Sequence, residues 1–556
     1  MTKKILYDVK KVKSVKELLE TAVEDAGNNL AFRYKKGKEV VDVTYQEFQN
    51  DTLALGAALQ DLKVDEKHIS VIGENSYHWL TVYLTVLKSK GVLVPIDKEL
   101  PLKDIIHVLK HGDSEVLFYS ARYEKHIREI SNALPQIKYF IAFDKEENES
   151  TTNLSYRKLL KKGKEIYEKG EFKEPDIDTN KMKMIIYTSG TTGLAKGVML
   201  TEHNLLSVAI GALETTKIQK SCLSVLPYHH TYEAVAGILT ELLFRSTICI
   251  NDSLKAILPN LELFKPEHIY VVPAFAELFY KKIWATAEKE GKAELLKKMI
   301  KISNALLKLG IDLRRKLFGS VLKAFGGNLK EIVCGGAPLR PEVGDFFNSI
   351  GIMFLNGYGI TECSPLVSVN TPYLNNPRTV GLPLQCCEIK LKDETEEGIG
   401  EICVKGDIVM LGYYKDEERT KEVLEDGWFR TGDFGKITDE GQLMITGRKK
   451  NIIVLENGKN VYPEEIENYI MAIPYVQEVV VKPTLNEHGM NGNNLCAEVF
   501  LNEEKIKELG EEINVLEKLK NDINTLTKEL PVYKHVSDVE IRETEFEKTT
   551  TNKIKR

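Results

Sequence analysis

The chain has 556 residues, of which 28% are charged and 43% are hydrophobic, and its formal net charge at pH 7 is −6. At about 100–200 residues per domain this length predicts several folding units, and the composition is that of a globular protein. The negative net charge gives nucleic-acid binding no support, so any anion-binding site must be local.

The N-terminal segment, MTKKILYDVKKVKSVKELLE, is charged and amphipathic. It lacks the apolar stretch and the small-residue cleavage site of a secretory signal. No segment approaches the roughly 20 apolar residues that span a bilayer. Eight cysteines form no Cys-x-x-Cys pair, a pattern typical of reduced thiols. We therefore expect a cytoplasmic protein.

Short apolar segments rich in β-formers recur along the first two thirds of the chain, and helical patterns lie between many of them. In chain order they are HISVIGEN, VLVPID, VLFYS, KYFIAF, MIIYTS, CLSVLPY, STICIND, HIYVVP, EIVCGG and IMFLNG. This alternation predicts an α/β fold in which crossover helices join parallel strands.

The pattern changes after Gly398 to strand–turn–strand, with a turn at Asp439 to Gly441. The last segment has the pattern of a small α+β unit. We predict an N-terminal domain over residues 1–447, a hinge at 448–451 and a C-terminal domain over 452–556.

The segment YTSGTTGLAKGV, residues 187–198, follows a predicted strand, and Thr201 is the predicted N-cap of a helix that begins at Glu202. Glycines let such a loop turn its N–H groups inward, and hydroxyls and one lysine add donors for phosphate. A Walker A loop is excluded because Lys196 precedes glycine. The alternative is a surface linker. The candidate phosphate-binding residues are Thr188, Ser189, Gly190, Thr191, Thr192, Gly193 and Lys196.

This segment resembles the phosphate loop of the adenylate-forming superfamily, which includes the acyl-CoA synthetases, although Ala195 stands where proline is usual. Six further motifs of that superfamily follow in order: LPYHHTYE (226–233), GGAPL (335–339), YGITE (358–362), RTGD (430–433), GRKKN (447–451) and TTTNKIKR (549–556). The helical segment from VVPAFAELFY to EIVCGG is similar to the long-chain fatty acyl-CoA synthetases.

The resemblance implies a large N-terminal body of mixed and parallel sheets sandwiched by helices, a small β-barrel-like subdomain, and a small mobile α+β C-terminal domain. It also implies two half-reactions. ATP activates a long-chain fatty acid to acyl-AMP with release of pyrophosphate, and CoA then takes the acyl group and releases AMP.

The resemblance also assigns site residues in the first domain. Glu362 binds Mg²⁺, and Thr188 reaches the same ion, as hard oxygen ligands suit magnesium. His230 positions the substrate carboxylate, with neighbouring His229 as a rival for that role. The residues assigned to adenine and the phosphates are Gly335, Gly336, Ala337, Pro338, Tyr358, Gly359 and Thr361.

The remaining assignments lie near or within the C-terminal domain. Asp433 accepts both ribose hydroxyls, and Arg448 assists. Lys450 occupies the hinge, and Gly458 lets the pantetheine arm of CoA pass. Lys553 inserts between carboxylate and α-phosphate, although Asn552 stands where glycine is usual.

Three matters stay open from the sequence. The acyl acceptor is CoA or the phosphopantetheine of a carrier protein, and a non-catalytic acyl-adenylate sensor is a more remote reading. The basic, amphipathic run from Lys281 to Lys323 is either a contact with the inner face of a membrane or the solvated face of ordinary helices. Chain length of the acid and oligomeric state are not fixed by the sequence.

Overall fold

The computed structural model describes residues 8–188, 195–486, 490–507, 513–548, 554 and 556. The strands of this part of the chain are β1 (Leu30–Lys36), β2 (Glu39–Thr44), β3 (His68–Ile72), β4 (Val92–Pro95), β5 (Val116–Tyr119), β6 (Tyr139–Ala142), β7 (Asn153–Ser155), β8 (Met182–Thr188), β9 (Lys196–Thr201), β10 (Ser221–Ser224), β11 (Thr247–Ile250), β12 (His268–Val271), β13 (Glu331–Cys334), β14 (Met353–Gly359), β15 (Leu366–Val369), β16 (Leu382–Pro383), β17 (Cys387–Lys392), β18 (Gly400–Gly406), β19 (Gly412–Tyr413), β20 (Leu424–Glu425), β21 (Trp428–Ile437), β22 (Leu443–Arg448), β23 (Ile453–Val454), β24 (Asn460–Val461), β25 (Val476–Leu485), β26 (Asn491–Leu501) and β27 (Val536–Arg542).

The α-helices of the same residues are α1 (Val15–Ala26), α2 (Tyr45–Asp61), α3 (Tyr77–Leu87), α4 (Leu102–His111), α5 (Ile127–Ala133), α6 (Tyr156–Glu168), α7 (Glu202–Thr215), α8 (Thr240–Phe244), α9 (Ile257–Phe264), α10 (Pro273–Lys289), α11 (Ala293–Lys308), α12 (Arg314–Leu317), α13 (Gly319–Lys323), α14 (Pro341–Ser349), α15 (Glu417–Val423), α16 (Pro463–Ile470), α17 (Glu503–Lys507) and α18 (Val515–Thr527). A π-helix covers Tyr232–Leu239, and short 3₁₀ helices include Thr361–Cys363 and Lys449–Asn451.

Two large sheets contain most of the strands. The first has the order β16-β15-β14-β13-β12-β10-β11-β1-β2, and the second has the order β19-β9-β8-β4-β3-β5-β6-β7. In the first sheet the run from β14 to β1 is parallel, whereas β15, β16 and β2 are antiparallel additions. In the second sheet the run from β8 to β7 is parallel, and β9 and β19 are antiparallel additions.

The other sheets are smaller. One has the order β17-β18-β21-β20 with β22 beside β21, another pairs β23 with β24, and a third has the order β25-β26-β27. Mixed sheets with helices between their strands confirm the predicted α/β class. All ten predicted strand segments coincide with β3 to β6, β8 and β10 to β14.

The chain divides into two compact units. The first comprises residues 1–337, 341–389 and 404–429, and the second comprises 338–340, 390–403 and 430–556. The second unit has its own core, in which α16 and α18 pack apolar side chains such as Ile466, Leu519 and Ile523 on the three-stranded sheet. The predicted domain boundary at 448–451 stays a prediction.

Local sequence signals explain several element ends. The Thr201 hydroxyl accepts a hydrogen bond from the Asn204 N–H and the Asn204 side chain accepts one from the Thr201 N–H, so α7 begins where the sequence predicts. The predicted turn before β22 is closed by a hydrogen bond from the Gly441 N–H to the Thr438 carbonyl. Within the described ranges, no helix has the length and the apolar character that crossing a bilayer requires.

Candidate active site

The predicted phosphate-binding segment begins and ends on a hairpin of the first unit. The last residue of β8, Thr188, pairs directly with the first residue of β9, Lys196, across antiparallel strands. Ser189, Gly190, Thr191, Thr192 and Gly193 lie between them, outside the described residues. The hairpin therefore fixes both ends of the loop on one sheet, which is not how a linker between domains is held.

A cation, a carboxylate and a phenol meet at the end of this hairpin. Lys196 Nζ lies 2.9 Å from Glu362 Oε1 and 2.8 Å from the Tyr413 hydroxyl, which itself donates to Glu362 Oε1 at 2.9 Å. Glu362 sits in the 3₁₀ turn after β14, and Tyr413 is on β19, which pairs with β9. Burial, and then the charge of Glu362, raises the pKa of Tyr413, so this phenol stays protonated as a donor.

The predicted magnesium ligands fit a hard cation. Carboxylate and hydroxyl oxygens are the donors that Mg²⁺ prefers. The Thr188 hydroxyl is buried and has no hydrogen-bond partner among the described residues. Glu362 is largely buried and contacts Lys196, the cross-strand partner of Thr188. An uncompensated buried hydroxyl costs free energy unless a ligand satisfies it, so Thr188 suits a bound ion or phosphate oxygen.

A mostly apolar pocket opens in the same unit at the carboxyl ends of β13 and β14. These strands are adjacent and parallel, so the residues that follow them meet at one edge of the sheet. Four predicted nucleotide-binding residues line the pocket together with apolar side chains from α7, the π-helix and β12. The lining includes Gly335, Gly336, Tyr358, Gly359, Ala212, Ile218, Tyr232, Ala236, Tyr270 and Leu366.

One of these glycines is required by a close approach of two backbone segments. A Cβ atom at Gly359 would lie 2.4 Å from the Pro365 carbonyl oxygen. Any other residue would therefore push β14 away from the chain that returns at β15. The YG pair of the YGITE motif thus shapes this rim of the pocket.

Two tyrosines that the sequence analysis did not single out build the pocket wall. Tyr232 begins the π-helix, and its hydroxyl donates to the Val333 carbonyl oxygen at 3.0 Å, which ties the helix to the end of β13. Tyr270 lies on β12, and its hydroxyl donates to Glu241 Oε1 at 2.7 Å. A tyrosine that lines a cavity and anchors its hydroxyl in the core gives no periodic signal in a sequence.

Behind Tyr270 lies a buried cluster of ionisable groups. His268 Nε2 is 2.8 Å from Glu241 Oε1, and the strand neighbours of His268 are Cys222 on one side and Glu331 on the other. Burial opposes charge on His268, but attraction to Glu241 raises its pKa. Burial also raises the pKa of Glu331 to about 7 and that of Glu233, in the π-helix, to about 8.

The two candidate histidines occupy different environments. The rings of His229 and His230 lie 4.2 Å apart, and His229 Nε2 is 3.5 Å from Asp97 Oδ1. Burial, and then His230, lowers the pKa of His229 well below its ordinary value, so this imidazole is neutral. Asn75, which the sequence analysis missed, holds their loop by accepting from the Tyr228 N–H and donating to the Leu226 carbonyl. His230 keeps its assigned role as a prediction.

In the second unit, the predicted ribose-binding pair is brought together. Asp433 on β21 is paired with Arg448 on β22, and Arg448 Nε lies 3.1 Å from Asp433 Oδ1. The Asp433 side chain is 6% exposed, whereas Arg448 is 45% exposed. The sheet register explains why residues 15 positions apart meet. Their role at the ribose stays a prediction.

The other predicted residues of this unit are Lys450, Gly458 and Lys553. Burial, and then Arg448, lowers the pKa of Lys450, which lies in the 3₁₀ turn Lys449–Asn451. Gly458 turns the chain between β23 and β24 at φ +77°. Lys553 lies outside the described residues, although its neighbour Ile554 forms an antiparallel bridge with Lys548.

Comparisons with known proteins agree with these motifs. The chain is 31% identical to fatty acyl-CoA synthetase B of Dictyostelium discoideum over 74% of its own length and 65% of that protein's length, just under two thirds of the relative. It is 30% identical to the long-chain-fatty-acid–CoA ligase FadD15 of Mycobacterium bovis, over 79% of this chain and 75% of that one. It is 27% identical to the chloroplastic long-chain-fatty-acid–[acyl-carrier-protein] ligase AEE15 of Arabidopsis thaliana, over 84% and 74%.

The fold is also similar to solved structures. The anthranilate CoA ligase AuaEII in complex with anthranoyl-AMP superposes with a TM-score of 0.77 at 18% identity, over 98% of this chain and 96% of that one. At this identity the likeness concerns the fold alone. The model of the AMP-binding enzyme family matches residues 19–414, a range that includes the hairpin, the Lys196–Glu362 pair and the apolar pocket. The chain belongs to the AMP-binding enzyme family.

Proposed function

We propose that the protein is a long-chain fatty acid–CoA ligase, which converts the acid and ATP to acyl-AMP and then forms the CoA thioester. The observation that carries this proposal is the apolar pocket lined by Gly335 and Gly336 of GGAPL and by Tyr358 and Gly359 of YGITE. An apolar cavity beside nucleotide-binding backbone suits a substrate with an alkyl tail and a carboxylate head. Sequence relatives named as fatty acyl-CoA synthetase and ligase support the same substrate class.

In the first half-reaction a carboxylate oxygen attacks the α-phosphorus of ATP, and the bond to pyrophosphate breaks. Two anions must come together, so stabilisation of charge on the phosphoryl oxygens is the main requirement. Lys196 supplies a fixed positive charge, and Tyr413 holds both Lys196 and Glu362 in place. Mg²⁺, held by Glu362 and Thr188, would neutralise phosphate charge. His230 orients the carboxylate, which needs no base because it is ionised at neutral pH.

In the second half-reaction the CoA sulfur attacks the acyl carbonyl carbon, and AMP leaves with the electrons of the broken anhydride bond. Activation through the mixed anhydride replaces one difficult condensation by two easier displacements. We assign Lys553 to the first half-reaction and Gly458 to the second, with Asp433 and Arg448 on the ribose. The hinge role of Lys450 and the domain division at 448–451 belong to the same proposal.

A carrier protein as acceptor is the second candidate, because one relative is named as an acyl-carrier-protein ligase. The two candidates share the first half-reaction and differ only in the thiol. A sensor that binds without turnover is disfavoured by the presence of Lys553, Glu362 and Thr188, because binding alone does not require the lysine assigned to adenylation.

Product analysis by mass spectrometry tests the proposal. The protein is incubated with ATP, Mg²⁺ and straight-chain acids from acetate to stearate, in one series with CoA and in another without it. We expect acyl-CoA in the first series and bound acyl-AMP in the second. Acyl-AMP that accumulates in both series would point to a carrier-protein acceptor, and absence of both products would refute the ligase.

A further inference from the structure

The helices that follow the pocket wall carry a surface that the reaction does not use. Tyr270 of β12 lines the pocket, and the chain continues from this strand directly into α10 and then α11. From Lys281 to Lys323 the sequence has twelve lysines and arginines and four acidic residues, in a chain whose net charge is −6. This segment is therefore a local concentration of positive charge.

Large apolar side chains lie in the solvent on the same helices. On α11 and its C-terminal cap, Leu295, Ile302 and Leu309 are 54%, 56% and 76% exposed. Residues seven apart lie on one side of a helix, so the three form a single stripe. The exposed side chains of Lys298, Lys301 and Lys308 lie along one side of this stripe. We call these six residues the α11 face.

The opposite side of α11 is fixed against the body of the unit. Leu296 and Ser303 are buried, and Asn304 donates to the Ser349 hydroxyl at 3.1 Å, at the end of α14. On α10, the ring centroids of Tyr280 and Trp284 lie 5.1 and 5.8 Å from that of Phe346. The α11 face is thus held outward by contacts elsewhere on these helices.

We propose that the α11 face is a docking surface for an anionic lipid bilayer, with the apolar stripe inserted among the acyl chains and the lysines at the headgroups. An interfacial helix has this division into an apolar and a cationic side. A second copy of the chain is a poorer occupant, because two such basic faces repel each other. A nucleic acid would attract the lysines but would leave the Leu and Ile side chains exposed. For a ligase of fatty acids, this surface provides contact with the phase in which the substrate concentrates.

Vesicle flotation with the full-length protein tests the surface. No substrate, ATP or CoA is present, so the result is independent of whether the proposed ligase reaction occurs. One vesicle population is phosphatidylcholine alone, and the other also contains phosphatidylglycerol. We expect binding to the anionic vesicles and a decrease with rising salt, because lysines near such a surface act through screened attraction.

Paired variants identify the residues. Lys298→Gln, Lys301→Gln and Lys308→Gln should each lower the partition coefficient about fivefold, whereas Lys103→Gln and Lys110→Gln, exposed on α4, serve as controls without effect. Leu295→Gln combined with Ile302→Gln should lower it at least about tenfold, and exposed Leu254→Gln with Leu263→Gln should not. All variants should unfold at the wild-type temperature and give the wild-type circular dichroism spectrum, which verifies folding without use of the proposed reaction.

Three outcomes overturn the proposal. The first is no binding of the wild-type protein to phosphatidylglycerol vesicles, and the second is equal binding by the α11 variants. The third is sedimentation of the wild-type protein as a dimer that Leu295→Gln with Ile302→Gln converts to monomer, because the face would then join two copies of the chain.

Discussion

Lys196 and Glu362 are 166 residues apart in sequence, yet Lys196 Nζ and Glu362 Oε1 lie 2.9 Å apart. A strand hairpin supplies the lysine, and the turn after β14 supplies the carboxylate. The tyrosine that contacts both comes from β19, which adds to the hairpin as an edge strand. The contact joins the two large sheets of the first unit at the point where the phosphate-binding loop begins and ends.

Lys196 and Tyr413 both contact Glu362, and their loss should slow adenylation to different degrees. Lys196→Met removes a positive charge and should lower the rate of acyl-AMP formation about 100-fold or more, as removal of a transition-state donor does. Tyr413→Phe removes the hydroxyl that bonds both Lys196 and Glu362 but leaves their charges in place, and it should cost about tenfold. Single-turnover measurement of pyrophosphate release checks both. Equal rates for wild type and Lys196→Met would contradict the assignment of Lys196.

The tail lysine should affect only one half-reaction. Lys553→Ala should abolish acyl-AMP formation, while supplied acyl-AMP still reacts with CoA. Lys548→Ala is the matched control, because Lys548 is on the same tail and contacts Glu478 and Glu545. Rapid-quench assays of each half-reaction separate the cases. Equal loss of both steps in Lys553→Ala would refute its restriction to adenylation.

Gly458 should affect the other half-reaction. Gly458→Leu places a side chain at φ +77° and should block thioester formation while acyl-AMP still forms. The strain of about 1–2 kcal/mol from this φ is a separate effect. Gly398→Leu provides the control, since Gly398 is in the same unit at φ +72° and its Cβ would also meet open space. If both variants lose thioester formation alike, strain and not obstruction is the cause.

The apolar pocket should limit the chain length of the acid. Each methylene buried in it contributes about 0.8 kcal/mol, so kcat/KM should rise about fourfold per carbon until the pocket is filled. Ala236→Phe reduces the space and should end this rise at a shorter acid. Thr216→Val, also on the lining, conserves volume and should leave the limit unchanged. Steady-state kinetics with a ladder of acids measures both limits, and an unchanged limit in Ala236→Phe would exclude this pocket as the acyl site.

Buried Glu233 should make stability depend on pH. Its pKa is raised from 4.5 to about 8 by burial, so the folded state binds a proton that the unfolded state has lost. The stabilisation of the folded state by this proton is fully present below about pH 4.5 and is lost as the pH rises through about 8. Glu233→Gln removes it, so the unfolding free energy of the variant relative to wild type should increase by about 4 kcal/mol between about pH 5 and pH 8.

Denaturant unfolding at both pH values measures this difference. Exposed Glu262→Gln serves as the control for the loss of a carboxyl group. If the unfolding free energies of wild type and Glu233→Gln differ by the same amount at both pH values, Glu233 is ionised in the folded protein.

The sequence by itself determined the strand segments, the start of α7 at Thr201, the family and the identity of most candidate residues. These signals are local: a strand has a short apolar run, a helix start has a capping residue, and a binding loop has a compact motif. Only the tertiary structure identified Tyr413, Tyr270 and Asn75 as parts of the candidate site, because their partners are distant in sequence. The sheet order also decided that the ends of β13 and β14 form one pocket, and the packing of α10 and α11 decided which of their side chains remain exposed. Contacts between distant segments depend on how the whole chain folds, and no periodicity or motif encodes them.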